Sequence, residues 1–177
     1  MSPSRIGVLG KGLAGRRTFV DAMMGMADFP SEFRSRTYIS EWICDGRPRL
    51  LECLVPVFMT AFHHGPIESW SQDPTLALEL DFLKRCDACI FIVDPQHEVL
   101  GLSFHWYREM ERVFHFLDRR DFKPLIVVTK IDLVTDTELY QAMKTFTLHG
   151  RRPLAISSKT GEGIEEAVEQ VLNLVGI

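Results

Sequence analysis

The sequence is poor in cysteine and has no long apolar run, and these absences exclude several classes of protein. Four cysteines among 177 residues do not make a dense disulfide framework. Cys86 and Cys89 form a C-x-x-C pair, but no second pair completes a zinc site, so we expect buried, reduced cysteines. The apolar run ACIFIV is too short for a membrane span, and no signal-peptide pattern is present. We therefore expect a cytoplasmic protein without membrane insertion.

An excess of positive charge is also missing. Lysine and arginine number 20, aspartate and glutamate number 24, and the net charge is −4. Such a chain has no long-range field that would gather nucleic acid or an anionic membrane, so neither is expected as a partner. The length suits one domain with its own core, and we assign residues 1–177 to a single domain.

Apolar strands alternate with amphipathic helices along the chain. The runs IGVL, CIFIV and LIVV are typical of parallel strands that are covered on both faces. The alternation predicts an α/β fold with a doubly wound, mostly parallel six-stranded sheet, in which an early hairpin adds one antiparallel strand. The predicted strands are 5–9, 37–44, 49–55, 88–93, 124–128 and 153–156, and the predicted helices are 18–27, 75–85, 103–119, 137–148 and 164–175. Ligands bind beyond the carboxyl ends of such strands, so each following loop is a candidate site.

The stretch GKGLAGRRT follows the first strand and has the glycine spacing of the phosphate-binding loop G-x-x-x-x-G-K-[ST]. In such loops backbone amides surround the phosphates, the lysine reaches the terminal phosphates, and the hydroxyl binds magnesium. Arg16 stands at the lysine position and Arg17 at the hydroxyl position. The backbone can still bind an anion, but a cation at the metal position repels magnesium. The predicted phosphate-binding residues are Gly10, Lys11, Gly12, Leu13, Ala14, Gly15, Arg16, Arg17 and Thr18.

Two later loops carry polar motifs directly after apolar strands. TKID at 129–132 resembles the guanine-specifying [NT]-K-x-D motif of Ras-like small GTPases, and SSK at 157–159 resembles their S-A-K motif. The resemblance covers nearly the whole chain and is nearest to bacterial MglA-like GTPases, in which a G-x-G-L-x-G loop also occurs. It implies GTP or GDP as the ligand, with the carboxylate of Asp132 accepting hydrogen bonds from guanine. The guanine-binding residues implied are Thr129, Lys130, Asp132, Ser157, Ser158 and Lys159.

The D-x-x-G motif that follows the third strand in this family is absent from the chain. Its aspartate normally steadies magnesium, so two of the usual metal contacts are missing and we expect magnesium to be weak or dispensable. No metal ligand is assigned; Thr37 is a candidate for the switch threonine, and Ser35 and Ser31 remain alternatives. No catalytic residue is assigned either; His63 and His64 lie where a water-positioning residue could act, but loop histidines are common. Enzyme activity is therefore left open, with weak or absent GTP hydrolysis expected.

Three functions remain open on these observations. The chain is interpreted as a degenerate small GTPase, a guanine-nucleotide-binding regulatory or scaffold protein that contacts a protein partner through residues 28–37 and 56–74. The alternative is a pseudoGTPase interaction module that works without nucleotide, because methionine and aromatic residues are frequent near those segments. A deviant phosphate-loop ATPase is a third interpretation, because Lys11 resembles the early lysine of MinD-like and ParA-like loops.

Overall fold

The computed structural model of the protein gives the bounds of its strands and helices. The described residues are 4–11, 13–26, 31–35, 39–45, 50–56, 69, 72, 74–117, 124–147, 150 and 152–176. The strands are β1 (Ser4–Gly10), β2 (Ser31–Ser35), β3 (Ile39–Asp45), β4 (Leu50–Pro56), β5 (Ala88–Val93), β6 (Leu125–Val128) and β7 (Leu154–Ala155). The helices are α1 (Arg16–Met26), α2 (Pro74–Arg85), α3 (His97–Phe116), α4 (Asp136–Thr147) and α5 (Ile164–Val175), and a 3-10 turn at Ile131–Leu133 precedes α4.

The strands form one sheet in the order β2-β3-β4-β1-β5-β6-β7. β1 pairs in parallel with β4 and β5, and the parallel ladder continues through β6 to β7. β3 runs antiparallel to both of its neighbours, β2 and β4. The predicted α/β fold with a mostly parallel sheet is therefore confirmed, and β3 is the one described strand that runs against the others.

The described residues form seven strands in this sheet, so the predicted count of six is wrong. The additional strand, β2, forms from SEFRS, a segment that the sequence placed in a loop before the hairpin. One apolar residue among five gives no strand periodicity, which is why sequence reasoning missed it. All five residues of β2 pair with residues 40–44 of β3, and this pairing stabilises the strand despite its composition.

Helix α3 begins at His97, well before the predicted start at Ser103. Gly101 lies between the predicted and the observed start, and a glycine in a helix interior costs about 1 kcal/mol relative to alanine. In the structure Gly101 lies inside the helix, and Leu100 beside it packs against the buried cluster under α3. Tertiary packing therefore offsets the poor local propensity. The other predicted elements lie within a few residues of their observed bounds.

Helices cover both faces of the sheet and leave the carboxyl ends of the parallel strands as the place where loops meet. Odd-numbered residues of β5 pack in a cluster with α3 and α4, and even-numbered residues pack in a cluster with α1 and α5. On the first face the ring of Tyr107 meets Phe91 and Phe146 edge to face, with centroids 5.5 and 5.4 Å apart. Cys86 and Cys89 are both buried, as expected. None of the described helices is long and apolar enough to cross a membrane.

Candidate functional site

The loop between β1 and α1 turns through backbone conformations that require glycine at its first bend. Gly10 has a φ of +136°, and a Cβ at this position would lie 2.4 Å from the carbonyl oxygen of Ile92 in β5. Gly15 has a φ of +91° directly before α1. Leu13 also has a positive φ, of 68°, and its side chain is 92% exposed. The glycine spacing read from the sequence therefore corresponds to real turns, with a strained, exposed leucine between them.

Two consecutive residues after β6 hold two consecutive carbonyl groups of this loop. The hydroxyl of Thr129 donates to the carbonyl oxygen of Ala14 at 2.7 Å. The ammonium of Lys130 donates to the carbonyl oxygen of Leu13 at 2.8 Å. We call this set of four residues the carbonyl clamp. It joins the predicted phosphate loop to the predicted base loop across 115 and 117 residues of sequence.

The backbone of the clamp is strained on both sides of one hydrogen bond. Lys130 has φ 58° and ψ 31°, the left-handed region that non-glycine residues rarely adopt. Leu13 and Lys130 are the two non-glycine residues with positive φ in the described part of the chain, and the Lys130 ammonium binds the Leu13 carbonyl directly. Strain of this kind persists only where surrounding contacts hold it, and it concentrates at functional sites.

Asp94 completes the surroundings of Lys130 and was not identified from the sequence. Its carboxylate accepts hydrogen bonds from the Lys130 ammonium at 2.7 Å and from the backbone N–H of Gln96 at 3.1 Å. The side chain of Asp94 is 8% exposed and that of Lys130 is 29% exposed, so the ion pair is largely shielded from water. The available signal was an acidic residue placed directly after the fully apolar strand β5. Asp94 fixes the position of the lysine that holds the phosphate loop.

The TKID and SSK loops meet through a second polar contact. The hydroxyl of Ser157 donates to a carboxylate oxygen of Asp132 at 2.6 Å and accepts from the backbone N–H of Thr160 at 3.1 Å. Ser157 is fully buried, whereas Asp132 is exposed. One carboxylate oxygen is thus oriented by the protein, and the exposed carboxylate keeps acceptor capacity for an incoming donor. Ser158 is half-buried and Lys159 is exposed on the same loop.

The 3-10 turn at Ile131–Leu133 that carries Asp132 is held at both ends. The backbone N–H of Ile131 donates to the carbonyl oxygen of Ile156 at 3.3 Å, which ties the turn to the segment after β7. Thr135 and Glu138 form a capping box at the start of α4, with the Thr135 N–H donating to the Glu138 carboxylate at 2.8 Å. The turn is therefore fixed between a strand end and a capped helix.

The other residues of the predicted phosphate loop lie at the start of α1 or directly after β1 and differ in their exposure to solvent. Arg16 and Arg17 open α1, whose first turn contains no acidic residue; Arg16 is half-buried, and Arg17 and Thr18 are exposed. Lys11 is half-buried. Within the described residues no group of three or more His, Cys, Asp or Glu side chains could hold a metal ion. The predictions for Gly12, Thr37, His63 and His64 lie outside the described residues.

Several solved structures share the fold of this chain. The G domain of the T. maritima iron transporter FeoB has a TM-score of 0.60 over 98% of this chain and 99% of that chain, at 14% identity. The cytosolic domain of the same transporter in a GDP form has a TM-score of 0.65 over 99% of this chain and 64% of that chain, also at 14% identity. This chain has the fold of a P-loop GTPase G domain. The apo form of elongation factor SelB from Methanococcus maripaludis agrees, with a TM-score of 0.59 over 99% of this chain and 34% of that chain, at 14% identity.

Sequence relatives are distant. The mitochondrial translation factor guf1 of Schizosaccharomyces pombe is 25% identical over 96 residues, which are 52% of this chain and 14% of that protein. This G domain therefore spans a small part of the curated relative that it matches. No known family profile matches the chain. The Ras-like resemblance read from the motifs is confirmed at the level of the G-domain fold.

The shielded pair of Lys130 and Asp94 is expected to contribute to stability. Lys130→Met leaves the Asp94 carboxylate without its cation and should lower the free energy of unfolding by about 1 to 3 kcal/mol. The effects of Lys130→Met and Asp94→Asn on the free energy of unfolding should not add. A double-mutant cycle measured by urea unfolding should give a coupling energy of about 0.5 to 3 kcal/mol.

A surface ion pair provides the matched control for this cycle. Arg112 and Glu109 on α3 lie 2.7 Å apart with side chains 65% and 17% exposed, and their coupling energy should be about 0.5 kcal/mol or less. A coupling for Lys130 and Asp94 no larger than that of the surface pair would contradict the role assigned to Asp94.

Proposed function

We propose that this G domain binds guanine nucleotide across the two loops joined by the carbonyl clamp and acts as a regulatory or scaffold protein with weak or absent GTP hydrolysis. The observation that supports this most directly is the clamp itself, in which Thr129 and Lys130 hold the carbonyls of Ala14 and Leu13. An anion-binding loop and a base-recognition loop thereby become one unit. The GDP form in which the FeoB cytosolic domain was solved supports the same ligand class.

The phosphate end of the proposed site carries two arginines at the N-terminus of a helix. Arg16 and Arg17 occupy the first turn of α1, and this turn contains no acidic residue. Cations at the positive end of a helix dipole are unfavourable by roughly 0.3 to 1 kcal/mol each. A phosphate bound by the loop amides reverses the sign of this interaction, since an anion is then held between the helix terminus and two guanidinium groups.

The base end of the proposed site offers a carboxylate, with which no cation from the described residues forms an ion pair. Asp132 is exposed and is oriented through Ser157, so it can accept two hydrogen bonds from the ring and exocyclic nitrogens on one edge of guanine. Adenine presents no such pair of donors, so ATP would leave the carboxylate unsatisfied. In this arrangement the stem of Lys130 lies under the base while its ammonium stays with Leu13 and Asp94.

Magnesium does not fit the residues present. Arg17 occupies the position of the metal-binding hydroxyl, and no D-x-x-G motif supplies the second contact. A divalent cation placed beside Arg17 would be repelled, whereas the two arginines can neutralise phosphate charge themselves. Phosphoryl transfer normally relies on the metal to offset developing charge, so binding is retained and hydrolysis is weak in this proposal.

The narrower parts of the proposal rest on motifs. The MglA-like assignment depends on the GKGLAG loop and the TKID motif. Partner contact through residues 28–37 and 56–74 and a cytoplasmic location remain predictions. The deviant phosphate-loop ATPase remains an alternative because of Lys11, a half-buried residue of the predicted phosphate loop.

Base recognition is tested by titrating the purified protein with GDP, GTP and ATP. GDP and GTP should bind more tightly than ATP, and Asp132→Ala should weaken GDP binding about 10-fold to 150-fold, the loss expected for a charged hydrogen bond of about 1.5 to 3 kcal/mol. Asp136→Ala is the matched control, because Asp136 is an exposed carboxylate at the start of α4. Equal affinity for ATP would favour the ATPase alternative, and no binding of any nucleotide would favour the interaction module.

The metal requirement is tested by repeating the GDP titration in magnesium and in EDTA. The native affinity should differ by less than about threefold between the two conditions, whereas Arg17→Thr should bind about tenfold more tightly in magnesium. Arg17→Ala separates the effect of removing the cation from the effect of adding an oxygen ligand, because alanine supplies no ligand. Its GDP affinity should increase much less in magnesium than that of Arg17→Thr. A strong magnesium dependence of the native protein would refute the proposed role of Arg17.

A further inference from the structure

The outer edge of the sheet at β2 is a surface that the proposed nucleotide site does not use. β2 is the terminal strand of the sheet and pairs on its inner side with β3. No strand in the described part of the chain pairs with its outer side. An edge strand presents backbone N–H and C=O groups that can form a ladder with another strand. The opposite edge, β7, has two residues, whereas β2 has five, so β2 is the edge long enough to template a ladder.

The sequence of β2 is complementary to itself when it is read in the reverse direction. In SEFRS, an antiparallel partner centred on Phe33 places Ser31 opposite Ser35 and Glu32 opposite Arg34. The two-fold repeat of the same pairing places Arg34 opposite Glu32. Directly opposed residues of unlike charge stabilise an antiparallel pair by roughly 0.2 to 1 kcal/mol, whereas like charges destabilise it. An in-register parallel partner would instead oppose Glu32 with Glu32 and Arg34 with Arg34.

We propose that two copies of this chain associate through their β2 edges, antiparallel about a two-fold axis at Phe33, to form one continuous sheet across both domains. A two-fold interface places residue i of one copy opposite residue j of the other and the reverse, and in SEFRS the residues so opposed are compatible: serine with serine, glutamate with arginine, and phenylalanine with itself. The match of β2 to itself is the reason for naming a second copy as the occupant of this edge.

The register inside the domain extends the same charge pattern. Arg34 is paired in register with Glu41 of β3. In the proposed dimer the register position of Arg34 lies between that of Glu41 in its own sheet and that of Glu32 in the other copy, so the residue charges alternate in register across three adjacent strands. Glu32 is paired in register with Ile43 of β3, and the proposed dimer places it opposite Arg34 of the other copy.

This inference is independent of the proposed function, because it uses none of the residues of the carbonyl clamp or of the TKID and SSK loops. The dimer would form with or without nucleotide. It assigns a partner to part of the segment 28–37, for which the sequence predicted protein contact without identifying the protein.

Charge reversal tests the proposal. In sedimentation velocity the native protein should shift with rising concentration from the 20.3 kDa chain mass to twice that mass. Glu32→Arg opposes two arginines and Arg34→Glu opposes two glutamates, so each single variant should remain at the monomer mass. The double variant E32R/R34E restores both unlike pairs and should dimerise again. An equimolar mixture of the two single variants should also dimerise, because each supplies the charges that the other lacks.

Folding controls keep the test decisive. Arg34→Glu also places a glutamate in register with Glu41, so thermal unfolding of each variant is measured alongside. Position 32 is in register with Ile43, so Glu32→Arg creates no like-charge pair within the domain. The loss of dimerisation in this variant is therefore the primary readout. Arg112→Glu on the distant helix α3 should leave the dimer unchanged. A native protein that stays monomeric, a folded E32R variant that dimerises like the native protein, or folded single variants whose mixture stays monomeric would each overturn the proposal.

Discussion

The ammonium group of Lys130 is the contact on which the rest of the site depends. It binds the carbonyl of Leu13 in the loop after β1 and the carboxylate of Asp94 after β5, while its own backbone begins the turn that carries Asp132 after β6. One residue thus connects three strand exits, two through its side chain and the third through its own backbone. Without it, a strained loop at Leu13 and a shielded carboxylate at Asp94 would each lose the partner that stabilises them.

This arrangement separates anion binding from metal chemistry. The phosphate loop is shaped by glycine turns and by side chains that bind its carbonyl groups, so its amides keep their positions whatever residues stand at the start of α1. In the proposed function Arg16 and Arg17, which stand in place of the usual lysine and hydroxyl, leave the backbone cradle in position and neutralise the phosphate charge themselves. We propose that nucleotide binding is kept in this way although the groups that usually hold magnesium are absent from the sequence.

Much of the fold and part of the site could be predicted from the sequence, and the failures have physical causes. Continuous apolar strands and ordered glycine, TKID and SSK motifs are local signals, and they identified the G-domain fold and the loops that the structure brings together. The strand β2 gives no local signal, because its stability depends on pairing with β3. Asp94 was missed because its meaning depends on a contact with Lys130, 36 residues away in sequence. The start of α3 was misplaced because packing of Leu100 outweighs the cost of Gly101.

Amide hydrogen exchange with and without GDP, in EDTA, tests most directly whether the nucleotide joins the two loops of the carbonyl clamp and the SSK loop into one unit. We predict that GDP slows exchange together in residues 10–18, 129–133 and 157–161, without added metal and in spite of the sequence distances between them. Slower exchange in one of these segments alone, or no change in any of them at saturating GDP, would contradict the central claim.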